Sequence, residues 1–304
     1  MKNIFLLLVT LCLTACKTEK KPADYVNPII GATTFDEFKG SYHGLGKTFP
    51  GVCTPFGLVQ LSPDTKTGGD NGSGYSWHHK TIEGFSFTHM SGVGWYGDLG
   101  NFLVMPTTGT LKTFKGTEEE PESGYRSRYS HEREQASAHK YTVMLDDYQI
   151  QAELAAAPRS GIIRFTYPKS DTSRIQIDLA RRIGGSSTEQ YVEVVDNHTI
   201  KGWMKCTPNT GGWGDGQGKA DYTVYFHCCF DKPLKNFGVW SADIPDEADR
   251  KNASNDNPAY FEYIKNAKVL PMQKSAQGKH LGFYTEFPTE EGEQVLLKCG
   301  ISFV

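Results

Sequence analysis

Short segments in which apolar and polar residues alternate recur through the last two thirds of this 304-residue chain. A period of two suits a strand, whose successive side chains point to opposite faces, and not a helix, whose apolar stripe repeats every three to four residues. Ile162 to Tyr167 stops at Pro168, and Arg174 to Leu179 places Ile175, Ile177 and Leu179 on one face. Tyr191 to Val195, Thr199 to Met204, Tyr222 to Phe230, Leu281 to Phe287 and Gln294 to Val304 behave alike. Turn clusters separate them at Asp196-Asn197, Thr207 to Gly218 and Pro288 to Gly292. Strands this short, at this spacing, predict an all-β chain built as a large antiparallel sandwich rather than a βαβ array. Proline at a favoured first position predicts two peripheral helices, over Pro245 to Arg250 and Pro258 to Ala267.

The start of the chain bears on compartment. Lys2 precedes an apolar run from Ile4 to Leu13 that is too short to cross a bilayer as a stable helix, so it reads as an export signal. The run ends in Leu13-Thr14-Ala15-Cys16, which resembles a bacterial lipobox, with Cys16 lipidated as the first mature residue. Residues 17–23 then read as a polar tether and 24–304 as the folded domain. The expected location is that of an exported outer-membrane lipoprotein, touching the membrane through its lipid alone. Net charge is −3, from 32 basic against 35 acidic residues, which gives no electrostatic case for nucleic acid. With Cys12 removed and Cys16 lipidated, Cys53, Cys206, Cys228, Cys229 and Cys299 remain, without a CxxC pair. Buried unpaired thiols in strands are the reading expected of them, rather than a disulfide framework or a metal site.

The first third is different in kind. From Gly84 the chain is strand-like to Thr88 and then places Gly92, Gly94, Gly97 and Gly100 among His89, Trp95, Tyr96 and Asp98. Glycines at that density allow close backbone approach, while the other residues offer ring faces and hydrogen-bonding groups. A sugar presents C–H faces and hydroxyl edges, so a pocket for one needs this combination. A glycine-rich turn packed beneath its own aromatics fits the same residues.

Four segments in order, YVNPIIG (25–31), GKTFPG (46–51), TPFGLVQLSPDT (54–65) and GFSFTHMSGVGWYGDLGN (84–101), resemble the N-terminal domain of glycoside hydrolase family 92, the calcium-dependent exo-α-mannosidases. The remainder, to LLKCGISFV (296–304), matches more loosely. The resemblance implies a supersandwich of the galactose mutarotase-like kind, joined in family members to an (α/α)6 barrel, with the active site between the two. It implies inverting hydrolysis of mannose-containing glycans, such as N-glycans, by an acid and an opposed base ~6.5–9.5 Å apart. In the family the acid, the base and most calcium ligands belong to the barrel, which would begin after residue 304. No catalytic residue and no metal ligand is therefore assigned here: Asp146 and Asp147 are adjacent and point apart, and Glu132 and Glu134 lie in a charged loop. The resemblance places Gly46, Thr48 and Phe49 toward the terminal mannose, Trp95 as a stacking platform, and His89 and Asp98 as orienters. Lys47 departs from the smaller or amide residue expected before Thr48. Asp64 reads as an orienter or a turn cap. An enzyme's pocket domain is the reading preferred on these residues; a free-standing glycan-binding lipoprotein and a docking module without a sugar site are the alternatives.

Overall fold

The computed structural model describes residues 20–33, 37, 45–65, 73–91, 99–207, 221–250 and 257–304. Two antiparallel sheets carry the fold, one of eight strands and one of nine. The first runs Val52–Cys53, Gln60–Asp64, Gly84–Ser86, Leu103–Thr108, Ser170–Asp178, Leu281–Thr289, Asn236–Ser241, Lys268–Pro271. The second runs Ser275–Gly278, Glu189–Val194, Thr199–Cys206, Tyr222–Phe230, Glu293–Ser302, Ser160–Tyr167, Ile150–Ala157, Tyr141–Leu145, Glu134–Ala136. Their inner faces meet through aromatic contacts such as Phe85 with Phe165 and Phe230 with Phe283, at centroid separations of 6.2 and 6.1 Å. The large antiparallel sandwich expected from the alternation is the fold observed.

Ser170–Asp178 is buried on both faces over its second half, not on one. Ile175 and Ile177 enter the core, while Arg174, Gln176 and Asp178 point outward under a covering segment. Neighbouring strand and cover together satisfy them: Arg174 donates to Thr107 Oγ1 on the adjacent strand at 3.1 Å, Gln176 to the Lys112 carbonyl of the cover at 3.1 Å, and the Tyr125 hydroxyl donates to Asp178 at 3.0 Å. A buried polar strand face holds only when its groups are paired in this way.

One expected helix forms and the other does not. Pro258–Lys265 is an α-helix, capped by the Asn257 side chain, and seats Phe261 against Phe114. Pro245 to Arg250 is a turn, closed from Ala248 N–H to the Pro245 carbonyl at 3.1 Å. Tertiary pairing takes the backbone a helix would use, because the Arg250 carbonyl accepts from Ser186 N–H at 2.9 Å. The buried Arg250 guanidinium then reaches the Ser187 and Lys279 carbonyls, each at 3.2 Å.

The thiols also depart from expectation. Cys228 and Cys299 are directly opposed on neighbouring strands, with Cα atoms 4.1 Å apart, and are disulfide-bonded. Cys53, Cys206 and Cys229 form no disulfide. The pairing links residues 71 apart in sequence, so no local spacing announces it.

Candidate functional site

Gly46, Thr48, Phe49 and His89 come together at the sheet edge where Gln60–Asp64 pairs with Gly84–Ser86. The segment 46–51 lies across this edge. Lys47 and Thr48 N–H groups both donate to the Gly31 carbonyl, at 2.7 and 3.1 Å, and the Thr48 hydroxyl donates to the Ile30 carbonyl at 3.0 Å. Side-chain-free positions permit the approach. A Cβ at Gly46 would sit 2.2 Å from the Ala32 carbonyl carbon, and one at Gly51 would sit 2.1 Å from the Leu61 oxygen. Phe49 then meets the His89 ring edge-on, with centroids 5.5 Å apart.

His89 is only 1% exposed. Its Nε2 lies 3.0 Å from Asp64 Oδ1 and 2.9 Å from Ser86 Oγ, and its N–H donates to the Gln60 carbonyl. Its Nδ1 and the hydroxyl of the neighbouring Ser62 are buried without a partner. Thr48 and Lys47 remain half-buried, so this segment reaches solvent where the histidine does not. Trp95 and Asp98, and likewise Cys16, lie outside the described residues. The chain on either side of 92–98 is nonetheless pinned beside His89. Gly100 and Asn101 N–H groups donate to Thr88 Oγ1 at 3.0 Å, and Thr88 donates to Asn101 Oδ1 at 2.6 Å.

Burial governs the electrostatics. It pushes the Asp64 carboxyl well above the ordinary range, offset only in part by the Ser86 hydrogen bond and by Arg181. It drives His89 down to about 3. Burial thus disfavours the charged form of both partners, raising the acid and lowering the base. Asp64 was legible in the sequence only as a residue following Ser62-Pro63; that it sits within a strand and meets His89 depends on a pairing between strands.

The carboxylates set aside on sequence are engaged elsewhere. Asp146 pairs with Arg133 and Asp147 with Arg128. Glu134 corrects the charged-loop reading. It is buried, and accepts from Tyr75 at 2.9 Å and Tyr141 at 2.6 Å, with His131 Nδ1 at 2.6 Å. Among the described residues no group of three or more His, Cys, Asp or Glu is placed to hold a metal ion. The described residues therefore offer calcium no acidic cluster of ligands.

An antiparallel two-sheet sandwich with a glycine-dependent loop over a polar seam defines the class. The model of the glycosyl hydrolase family 92 N-terminal domain matches residues 25–302, and the chain belongs to this family. Among solved structures it is similar to the family 92 α-mannosidase BT3965 of Bacteroides thetaiotaomicron, at 37% identity and a TM-score of 0.74 over 93% of this chain and 33% of that one. A structure of BT3965 in complex with mannoimidazole matches at 36% identity, again at 0.74, over 93% and 32%. The inverting mannosidase BT2199 of the same organism shares the fold at 22% identity and 0.66, over 94% and 32%. This chain thus spans about a third of the length of these relatives. Comparison with curated proteins gives no match.

Proposed function

We propose that this chain forms the sheet-built share of a mannoside pocket in an exported, lipid-anchored α-mannosidase acting on mannose-containing glycans. Inverting hydrolysis needs an acid to protonate the leaving oxygen and an opposed base to activate water. In this reading both belong to a further domain, because Asp146, Asp147 and Glu134 are already committed to cations and hydroxyls. Lys47 and Thr48 would present their half-buried surface to the terminal sugar, with the buried Phe49 beneath them. His89 would stand behind Phe49 and fix the loop rather than touch the ligand.

The observation that carries this reading is the convergence of the 46–51 segment on His89, through the Phe49 contact, in a chain whose solved relatives are α-mannosidases. Its test is direct. The purified chain should not hydrolyse an aryl α-mannoside, with or without calcium, and calcium-dependent turnover would overturn the division of labour. In a mannose titration followed by amide resonances, weak shifts should centre on Lys47, Thr48 and Phe49. Shifts that spare those three would remove the loop from the pocket.

A further inference from the structure

Tyr191, Trp203 and Tyr225 stand directly opposite one another on three adjacent strands of the nine-stranded sheet. The row continues in register to Gln277 on one side and Ser302 on the other. Val192, Met204 and Val224, each next in sequence to or just before a member of the row, fill the core, so alternation turns the three rings outward. Tyr225 is 42% exposed, while Tyr191 and Trp203 are half-buried. The Tyr191 and Trp203 rings lie within 21° of parallel, with centroids 6.1 Å apart. At the ~4.8 Å spacing of neighbouring strands, the five positions span about 19 Å of flat sheet.

What flanks the rings identifies the ligand chemistry. Glu193 and Lys201 are paired in register on one side, and Glu189 and Lys205 on the other. Glu193 accepts from the Tyr191 hydroxyl at 2.9 Å and lies 3.5 Å from Lys201, and Glu189 accepts from Gln277 at 2.8 Å. Two acids and two bases cancel, so these flanking charges attract neither a polyanion nor a polycation. Charged side chains crowding the rings also differ from the centre of a protein interface, where charge is depleted. Ring faces bordered by neutralised hydrogen-bonding groups match a molecule with C–H faces and hydroxyl edges. The Cys228–Cys299 bond ties together the strands that carry Tyr225 and Ser302, which holds the surface in place before a ligand arrives.

We propose that this row is a second binding surface, for a neutral oligosaccharide of several sugar units, and that it does not use Thr48, Phe49 or His89. The test is isothermal titration of the purified chain with a linear α-mannotetraose and, separately, with cellotetraose. Binding of at least one is expected. Trp203→Ala and Tyr225→Ser should each weaken it about tenfold or more, and Lys169→Ala, at an exposed position on neither surface, should leave it unchanged. Both outward substitutions can be checked for folding by circular dichroism, and Tyr225→Ser, the more exposed of the two, keeps the test usable should Trp203→Ala not fold. No binding of either sugar overturns the proposal, as does binding insensitive to both row variants. Wild-type protein that sediments as a dimer and becomes monomeric on Trp203→Ala also overturns it, because the face is then an interface between copies.

Discussion

Asp64 and Glu83 are both buried carboxyl groups at the eight-stranded sheet, and their surroundings shift them in opposite directions. Burial works against the charge of Glu83, but Arg181, Lys115 and Arg126 outweigh it and keep the carboxyl down at about 2. Lys115 Nζ approaches at 2.6 Å and Arg126 at 3.0 Å, and Arg181 closes the set. Asp64 meets a neutral histidine and a serine instead, and burial prevails. The contrast separates two uses of a buried acid. Glu83 neutralises cations and fixes the chain segments that bring them, whereas Asp64 orients a ring beneath a loop at the candidate site.

The largest effect should come from Glu83→Gln, which strands three buried cations. Breaking a buried ion cluster by removing one partner costs about 3–5 kcal/mol. Urea unfolding should show a loss of that size, and a loss below about 1 kcal/mol would mean that the cations find other partners. Gly46→Ala should follow, at about 1–3 kcal/mol, because the new Cβ meets backbone atoms of Ala32 and Thr33 that no side-chain rotation can move. A Gly46→Ala protein as stable as wild type would show that the loop does not rest on that turn.

His89 gives the contrast a pH signature. Its folded pKa, about 3, lies below its usual 6.5, so the unfolded chain takes up the proton first as acid is added. Its contribution is complete above pH 6.5 and is lost as the pH falls toward 3. Glu83 retains its contribution until the pH falls from 4.5 toward 2. The stability gap between wild type and His89→Gln should therefore narrow by a few kcal/mol as pH drops through the first window. A gap that stays constant would mean that folding does not move the His89 pKa.

Much of the architecture could be read from the sequence because alternation reports burial on one face of a strand. Tyr222–Phe230 has the bounds the pattern gives, and Pro258 opens the helix it announces. What the sequence concealed depends on partners distant along the chain. Arg174, Gln176 and Asp178 look solvated until the covering segment is in place. Cys228 and Cys299 look like separate thiols until two strands align. Pro245 to Arg250 has helical signals that lose to the Arg250 pairings. The candidate site divides the same way: the family resemblance singled out 46–51, but nothing in its residues told which part of the chain the segment would pack against. His89 stood out as a polar residue among glycines, yet its burial follows from Asp64 and Ser86 on neighbouring strands.

Asp64→Asn should have the smallest effect, and its sign is the sharpest test. A raised carboxyl pKa means that the folded chain keeps a proton which the unfolded chain releases above about 3.8. The favourable contribution is then present below that value and is lost as the pH rises. An amide is nearly isosteric with the neutral acid and has no proton to lose. Near pH 4 the variant should match wild type to within about 1 kcal/mol. At pH 8 it should equal or exceed wild type, because only wild type bears the cost of a carboxyl whose charged form the fold disfavours. A variant clearly less stable at pH 8 would place a carboxylate beside His89, and the distinction between Asp64 and Glu83 would then be one of partners and not of charge.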